Sequence, residues 1–300
     1  MKGRSKQGLF VLIGNPVEHS VSPAMFNSVF KKKKLWNYLY FTLRLGENEL
    51  PWFIKAFKQL NFIGANVTIP HKINVIKYLD SLHSSAEKAG AVNVIAKRRG
   101  LLRGYNTDAI AVAKVLEKRC GKHELAVVFG CGGAARAAAV ALAEISFKTQ
   151  VFVGRSSKGI REMRRFLDSR EIDGYVISIG DENRLNELLG KCDLIINATP
   201  VGMYPNTGES ILSSELIREG VVVFDMVYNP PVTRLLKEAE RAGAVTVGGL
   251  GMLVKQAVEA YRIWLGEAPP EEVMQKAAEK ELEKAAIQPP RHYVGTSTDS

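Results

Sequence analysis

Lys72 is the first side chain in this sequence whose type and position could do chemistry. It ends the stretch NVTIPHK at 66–72, and a strand over 62–67 should end there because Pro70 cannot donate to a sheet ladder. A helix that begins near His71 puts Lys72 in its first turn, where the positive end of the helix dipole disfavours a cation. Alone, Lys72 is a solvated surface lysine; beside a carboxylate it becomes a candidate acid–base group.

Two further polar residues, Asn93 and Asp108, follow along the chain. Asn93 interrupts the strand-like run Ala91–Ala96, and a buried amide needs a hydrogen-bonding partner or a ligand. Asp108 precedes a predicted helix over 109–118, so it is either the N-cap of that helix or a partner for a cation.

A loop with two hydroxyls follows the first predicted strand, Gly8–Ile13. Ser22 is a natural N-cap and Pro23 a natural first helical residue, so a helix should begin here. Ser20 and Ser22 then lie beside the free N–H groups of a helix N-terminus. Such an end suits a carboxylate or a phosphate.

A glycine-rich turn follows the apolar strand predicted over 125–129, and it reads GCGGAARA at 130–137. Strand, glycines and helix in this order are typical of a dinucleotide-binding site. Gly130 makes the tight turn, Gly132 lets the backbone approach a pyrophosphate, and Ala135 keeps the helix close to the sheet.

The next predicted strand, over 150–153, ends in GRSSK at 154–158. Enzymes that use NAD usually place an acidic residue there to bind the ribose, and this chain has none. Arg155 could instead make charge-assisted bonds to a 2′-phosphate, with Lys158 and Arg161 adding positive charge. We predict NADP as the cofactor; the alternative for Arg155 is a solvated loop cation.

Composition is that of a globular protein with one large or two ordinary domains: 300 residues, 46% hydrophobic and 24% charged. The net charge of +10 raises the question of nucleic-acid binding. The basic runs at 31–34, 97–99 and 155–165 are short, and aromatic residues do not interleave with them as base stacking would require. They indicate solvated faces first, a pocket for an anionic ligand second, and nucleic acid third.

The three cysteines are far apart, and the five histidines show no HExxH spacing. We therefore expect no disulfide framework, no metal site and a reducing, cytoplasmic compartment. No apolar run reaches the 18 or so residues of a membrane helix, so no membrane partner is expected.

Apolar strands alternate with helical segments along the whole chain, which predicts an α/β fold with a mostly parallel sheet covered on both faces. The later predicted strands, 193–196 and 221–224, run into polar loops. Ligands in open α/β sheets bind at such carboxyl ends of strands.

Eight motifs in a fixed order give the chain a specific resemblance, to the shikimate dehydrogenases, from about residue 9 to residue 280. They are HSVSP at 19–23, NVTIPHK at 66–72, GAVNVI at 90–95, GYNTD at 104–108, GCGGAARA at 130–137, NATPVGM at 197–203, DMVYNP at 225–230 and GLGMLVKQA at 249–257.

The resemblance implies reversible reduction of 3-dehydroshikimate to shikimate with NADPH, on the pathway to aromatic amino acids. It implies that Lys72 and Asp108 are the catalytic pair. The implied substrate-binding residues are Ser20, Ser22 and Tyr228 at the carboxylate, and Thr68, Asn93 and Gln256 around the ring hydroxyls and the reacting oxygen. Hydride attack on a ketone builds negative charge on its oxygen, and a lysine, whose ordinary pKa is about 10.4, begins protonated and can donate to it.

The cofactor contacts that the resemblance implies fall into three groups. The pyrophosphate is held by Gly130, Cys131, Gly132, Gly133 and Ala134; the ribose phosphate is read by Gly154, Arg155, Ser156 and Lys158; the nicotinamide end is lined by Thr199, Met226 and Gly249. The family usually has Asn-Arg-Thr where this chain has GRS at 154–156, so the central arginine is kept and the asparagine is not.

We therefore expect an N-terminal α/β substrate-binding domain over 1–108, completed by C-terminal helices over 249–286. A Rossmann-like NADP-binding domain should occupy 109–248, with a disordered tail over 287–300. The resemblance allows a monomer or a homodimer. The alternatives are a quinate or dual quinate/shikimate dehydrogenase that uses NAD or NADP, a catalytically silent ligand-binding homologue, and a nucleic-acid binder.

Overall fold

The computed structural model describes residues 7–117, 119–121 and 123–287. Its chain builds two six-stranded sheets, one from strands before residue 108 and one from strands after residue 116. The helices are α1 (Ser22–Lys32), α2 (Leu50–Gln59), α3 (His71–Asn74), α4 (Ser84–Ala89), α5 (Asp108–Leu116), α6 (Gly133–Glu144), α7 (Ser157–Ser169), α8 (Glu182–Leu189), α9 (Arg234–Arg241), α10 (Gly249–Leu265) and α11 (Glu271–Ile287), with 3-10 turns at Glu47–Glu49, Val75–Tyr78 and Ser214–Leu216.

The first sheet has the strand order β2-β1-β3-β5-β6-β4. Its strands are β1 (Gly8–Gly14), β2 (Tyr38–Arg44), β3 (Phe62–Val67), β4 (Ser81–Leu82), β5 (Val94–Arg98) and β6 (Leu101–Tyr105). The β1–β2, β1–β3 and β4–β6 pairs are parallel, whereas β5 runs antiparallel to both β3 and β6. Arg99 and Gly100 both have positive φ, 52° and 81°, which is the backbone of a two-residue hairpin turn.

The second sheet is parallel throughout, in the order β12-β11-β10-β7-β8-β9. Its strands are β7 (Leu125–Phe129), β8 (Thr149–Gly154), β9 (Gly174–Ser178), β10 (Leu194–Asn197), β11 (Val222–Asp225) and β12 (Val245–Val247). Read from β9, this is the doubly wound order 3-2-1-4-5-6, whose crevice lies between the first and fourth strands. Here those strands are β7 and β10.

The strands of this sheet are apolar on both faces because helices cover both. Ala126 and Val128 of β7 belong to one buried cluster and Val127 and Phe129 to another. The expected α/β class is therefore confirmed.

The last two helices return to the first sheet. Trp264 of α10 is buried and donates its indole N–H to the carbonyl of Ile95 at 3.0 Å. A Cβ added to Gly64 would lie 2.1 Å from the Trp264 Nε1 atom, so glycine is needed at that point of β3. We call the first sheet with α10 and α11 the first lobe, and the second sheet with its helices the second lobe.

Several predicted boundaries differ from the structure. Helix α1 begins at Ser22 itself, and Val21 is its N-cap residue without a side-chain cap; the Ser20 hydroxyl accepts from the N–H of Ser22 at 3.2 Å. The predicted N-cap role of Ser22 is thus wrong, because its side chain is buried instead. Strand β5 begins at Val94, so Asn93 precedes the strand.

The predicted disordered tail lies outside the described residues, except for Ile287, which is the last residue of α11. Among the described residues, none of the helices combines the length and apolar character needed to cross a membrane.

Candidate active site

A cavity of about 370 Å³ opens between the two lobes, at the crevice between β7 and β10. Side chains and backbone from both lobes line it. The predicted site residues among them are Ser20, Ser22, Thr68, Lys72, Asn93, Asp108, Ala134, Thr199, Met226, Tyr228, Gly249 and Gln256. The structure thus brings all the predicted catalytic and substrate-binding residues to one cavity.

Lys72 and Asp108 form an ion pair on its wall, with Lys72 Nζ 2.6 Å from Asp108 Oδ2. Their side chains are only 18% and 5% exposed. The turn from β3 into α3 aims Lys72 inward and is fixed at several points. The ring Nε2–H of His71 donates to the carbonyl of Leu45 at 2.7 Å, and the N–H of Val92 donates to the carbonyl of Lys72 at 2.7 Å.

The second oxygen of Asp108 is also held. Asn93 Nδ2 donates to Asp108 Oδ1 at 2.8 Å and to the Thr107 hydroxyl at 2.9 Å, while Asn93 Oδ1 accepts from the N–H of Thr107 at 2.8 Å. Asp108 is not the N-cap of α5, because Thr107 has that position. The side chain of Asn106 instead accepts from the N–H groups of Asp108 and Ala109, both at 3.1 Å. Capping therefore does not account for the Asp108 carboxylate.

Asn106 and Thr107 were not singled out in the sequence. Both are about 1% exposed, and they lie in the motif GYNTD. An asparagine two residues before a helix is a known local cap and could have been recognised.

Hydroxyl groups also line the cavity. They belong to Ser20, Ser22 and Tyr228, and the hydroxyl of Tyr228 is hydrogen-bonded to Ser20. Burial raises the pKa of Tyr228, and the hydrogen bond with Ser20 opposes this rise. A neutral phenol and two serine hydroxyls can donate to an anionic oxygen without bringing charge of their own.

The glycine-rich turn connects β7 to α6 beside this cavity. Gly130 has φ +119°, and a Cβ there would lie 2.9 Å from the carbonyl oxygen of Ala198, so the turn needs glycine. A Cβ on Gly132 would meet nothing within 4 Å, which leaves open space at the N-terminus of α6 for a ligand. This open backbone at a twelve-residue helix fits the pyrophosphate of a dinucleotide.

Gly133 brings this helix against the catalytic candidate. A Cβ there would lie 3.2 Å from Lys72 Cβ and 3.4 Å from Lys72 Cδ. The dinucleotide turn of the second lobe and the lysine of the first lobe are therefore in direct contact.

The remaining predicted cofactor residues lie at the ends of β7 and β8, outside the cavity lining. Arg155, Ser156 and Lys158 are exposed. The Ser156 hydroxyl accepts from the N–H of Gly159 at 3.1 Å and caps α7, and Lys158 Nζ lies 4.0 Å from Glu162. Arg155 thus presents its guanidinium to solvent beside the open turn.

Cys131 and Gly154 face each other between these two strand ends. A Cβ on Gly154 would lie 2.9 Å from the Cys131 sulfur and 2.6 Å from Cγ1 of Ile160. This crowding is a physical reason for glycine at 154. Burial raises the pKa of the Cys131 thiol to about 11, so the sulfur next to the turn is neutral.

Sequence inspection also missed the carboxylate of Asp225 in the motif DMVYNP. It is fully buried at the end of β11, directly opposite Asn197 of β10. Within the described part of the chain, no cluster of three or more histidine, cysteine or acidic side chains could hold a metal ion.

Comparison with known proteins agrees with this geometry. The family model described as shikimate dehydrogenase substrate binding domain matches residues 12–95, and the model described as shikimate 5'-dehydrogenase C-terminal domain matches residues 249–279. A shikimate dehydrogenase (NADP(+)) of Methanocaldococcus jannaschii is 42% identical over 284 residues, which cover 91% of this chain and 96% of that protein.

Solved structures match as well. A crystal structure of a shikimate dehydrogenase in complex with NADP+ has a TM-score of 0.82 and 40% identity, covering 92% of this chain and 96% of that one. A shikimate 5-dehydrogenase of Listeria monocytogenes, in complex with shikimate and NAD, has a TM-score of 0.80 and 31% identity, covering 92% and 98%. This chain belongs to the shikimate dehydrogenase family.

Proposed function

We propose that this chain catalyses the reversible NADPH-dependent reduction of 3-dehydroshikimate to shikimate in aromatic amino acid biosynthesis. The observation that carries the proposal is the Lys72–Asp108 ion pair on the wall of a cavity that a dinucleotide turn adjoins. Reduction of a carbonyl needs a proton donor beside the carbonyl oxygen, close to the cofactor that supplies the hydride.

Lys72 is the proton donor in this proposal. When bound, NADPH supplies the hydride. Lys72 Nζ, held 2.6 Å from Asp108 Oδ2, gives its proton to the substrate oxygen as negative charge develops there. Asp108 keeps the ammonium in place and stabilises its charge, and Asn93 keeps Asp108 in place through Oδ1. In the reverse direction the neutral amine of Lys72 takes the proton back.

The substrate is oriented by its two polar ends. Ser20, Ser22 and Tyr228 donate to the carboxylate, and Thr68, Asn93 and Gln256 contact the ring hydroxyls. Gln256 Nε2 donates to the carbonyl of Leu253 at 2.9 Å, which leaves its amide oxygen to accept from a hydroxyl. This division would place the ketone carbon between Lys72 and the second lobe.

The cofactor is held along the second lobe. Residues 130–134 would hold the pyrophosphate at the N-terminus of α6 through the backbone N–H groups over 131–134, because the N–H of Gly130 is donated to the carbonyl of Val153 at 2.9 Å. Arg155 with Lys158 would bind the 2′-phosphate, next to Gly154 and Ser156. Thr199, Met226 and Gly249 line the nicotinamide end of the cavity. A Cβ on Gly249 would lie 2.5 Å from the carbonyl oxygen of Met226, so α10 can begin this close to the cleft only with glycine.

The same proposal assigns the lobes. Residues 1–108 with the helices over 249–286 form the substrate-binding domain, and residues 109–248 form the NADP-binding domain. Three free cysteines are compatible with the predicted cytoplasmic compartment. A homodimer remains a prediction.

NADPH oxidation with 3-dehydroshikimate tests the proposal, repeated with NADH and, in the oxidative direction, with shikimate and quinate. We expect turnover with the shikimate pair and preference for NADP(H). Comparable turnover of quinate would instead indicate a dual enzyme. Binding of shikimate without turnover would indicate a silent homologue and contradict the proposal.

A further inference from the structure

The carboxylate of Asp225 is buried, and no lysine, arginine or histidine among the described residues forms an ion pair with it. Its side chain is 0% exposed, and its hydrogen-bond donors are neutral: Asn197 Nδ2 at 3.0 Å, the N–H of Val227 at 3.0 Å and the hydroxyl of Thr233 at 2.6 Å. Burial raises the pKa of Asp225 to about 6, and these three hydrogen bonds oppose the rise. Keeping a charge here lowers stability at neutral pH, so packing alone is a poor explanation for it.

Through Asn197, Asp225 is hydrogen-bonded to the loop after β10, and we call this connection its first tie. Asn197 donates to Asp225 Oδ1 and to the carbonyl of Val201 at 3.1 Å. Its own oxygen accepts from the N–H of Thr199 at 3.0 Å and from the Thr199 hydroxyl at 2.6 Å. All the polar atoms of the Asn197 side chain are thus used to shape the loop that carries Thr199 to the cavity.

The second tie runs to the loop after β11. Val227 donates its N–H to the same Oδ1 atom, and it lies between Met226 and Tyr228, which line the cavity with it. Thr233 closes this loop at the N-cap of α9, where its oxygen also accepts from the N–H of Leu236 at 3.3 Å. One carboxylate therefore joins the bases of two loops that face the nicotinamide end of the cleft.

We propose that Asp225 is a positioning residue that locks the loops over 198–204 and 226–230 to each other, and so sets where Thr199, Met226 and Tyr228 stand against cofactor and substrate. The proposal rests on the proposed function. Asp225 itself does not line the cavity, so it acts through its neighbours. Bonds to a charged acceptor are stronger than bonds to a neutral one, which is what an anion adds at this junction.

The main test is the isosteric variant Asp225→Asn. The amide can keep the bonds from Asn197 and Val227, and the Thr233 hydroxyl can rotate to accept, so the fold should survive. Thr233→Val removes one tie, and Thr233→Ser should restore it. The control is Glu238→Gln, which neutralises another largely buried acid of the same lobe. Glu238 pairs with Arg241 at 3.2 Å and with Arg234 at 3.6 Å and accepts from the N–H of Ser214 at 3.3 Å, and none of these partners belongs to either loop.

Amide hydrogen exchange by mass spectrometry, at one pH near 8 and without ligands, reads the loops directly. We expect exchange over 198–204 and 226–230 to rise roughly fivefold in Asp225→Asn, and less in Thr233→Val, because charge-assisted bonds become neutral or are lost. Outside the two loops, exchange in Asp225→Asn should not rise, and its melting temperature should not fall below that of wild type, because the variant no longer buries a charge. In Thr233→Ser and Glu238→Gln, exchange over both loops should stay near wild type.

Steady-state kinetics then test whether the mobility of the two loops affects catalysis. In Asp225→Asn we expect kcat to fall about tenfold. The KM values for NADPH and 3-dehydroshikimate should change less than threefold. Unchanged exchange in the two loops overturns the proposal, as does raised exchange with wild-type kcat and KM. A uniform rise in exchange with a lower melting temperature also overturns it, in favour of a purely structural role. If the wild-type protein does not reduce 3-dehydroshikimate, the proposed function fails, and hydrogen exchange alone decides the role of Asp225.

Discussion

Lys72 Nζ and Asp108 Oδ2 lie 2.6 Å apart although the two residues are separated by 36 positions. The lysine comes from the turn after β3, and the carboxylate comes from the first turn of α5, where Asn93 fixes its other oxygen. Lysine is a residue type that is usually exposed, and here the carboxylate of Asp108 holds the Lys72 side chain at the wall of the cleft.

Replacing Lys72 should remove chemistry and leave the cofactor site intact. In Lys72→Met we expect kcat to fall by about 10²- to 10⁴-fold, the range that general acid catalysis supplies. The dissociation constant of NADPH, measured by fluorescence titration, should change less than threefold. Lys77→Met is the matched control, since Lys77 is an exposed lysine just beyond the same short helix and contacts only the Tyr78 ring among the described interactions. Loss of NADPH binding with turnover retained would contradict the assignment.

The two adjacent glycines of the dinucleotide turn should separate binding from catalysis. In Gly133→Ala the new Cβ presses on the Lys72 side chain at 3.2 Å, so kcat should fall about tenfold, while the melting temperature holds because alanine favours the helix. In Gly132→Ala the new Cβ enters the open space before α6. There we expect a higher KM for NADPH and little change in kcat. The same kinetic effect from both substitutions would argue against this division.

Arg155 should decide between the two nicotinamide cofactors. In Arg155→Gln we expect the KM for NADP+ to rise about 10- to 100-fold, which corresponds to the loss of charge-assisted bonds worth roughly 1.5–3 kcal/mol. The KM for NAD+ should stay within twofold, because NAD+ lacks the 2′-phosphate. Arg161→Gln, in the second turn of α7, removes the same charge and should have a smaller effect. Equal losses with both cofactors would mean that Arg155 does not read the phosphate.

Asp225 should make stability depend on pH in a defined direction. Its pKa is about 6 in the folded chain against an ordinary 3.8, so the folded state binds this proton more tightly than the unfolded state does. The free energy of unfolding therefore falls as pH rises from about 4 to 6, by up to about 3 kcal/mol from this group.

Asp225→Asn has no carboxyl group to ionise at this position, so its free energy of unfolding should not show this fall. Relative to wild type, the variant should gain stability between pH about 4.5 and pH 8, as measured by urea unfolding at each pH. Glu238→Gln provides the comparison for loss of an acidic residue in the same lobe. A difference between Asp225→Asn and wild type that is independent of pH would show that Asp225 does not titrate in this window.

The family and the fold class could both be predicted, and both are confirmed. Local patterns carried most of this information. A sharp turn from a strand into a helix, as at Gly130, favours glycine because of its backbone conformation. Proline, as at Pro70, ends a strand because it lacks the N–H that a sheet needs. Both signals can be read from a few neighbouring residues. The hairpin of β5 and β6 was not anticipated, because Arg99-Gly100 is a weaker turn signal than the strand–helix alternation around it.

At the N-termini of α1 and α5, the residue-type preference for N-cap positions gives the wrong residue. Ser22 and Asp108 both have residue types that favour an N-cap, and neither caps its helix. Ser20 and Asn106 do this work instead, at 3.2 Å and 3.1 Å from the N–H groups they serve. The side chains of Ser22 and Asp108 are thereby free to face the cleft, a choice that packing makes and that residue type alone does not reveal.

By itself, the sequence determined the residue types of the site and the segments that carry them, because strand ends, glycine turns and helix starts depend on near neighbours along the chain. Only the tertiary structure decided which of these groups meet. It brought Lys72 to Asp108, Gly133 to Lys72, and Asp225 to Asn197 across two parallel strands. Contacts between residues far apart in sequence, and the burial that sets the pKa of Asp225, arise from the packing of whole sheets and helices, which no local pattern encodes.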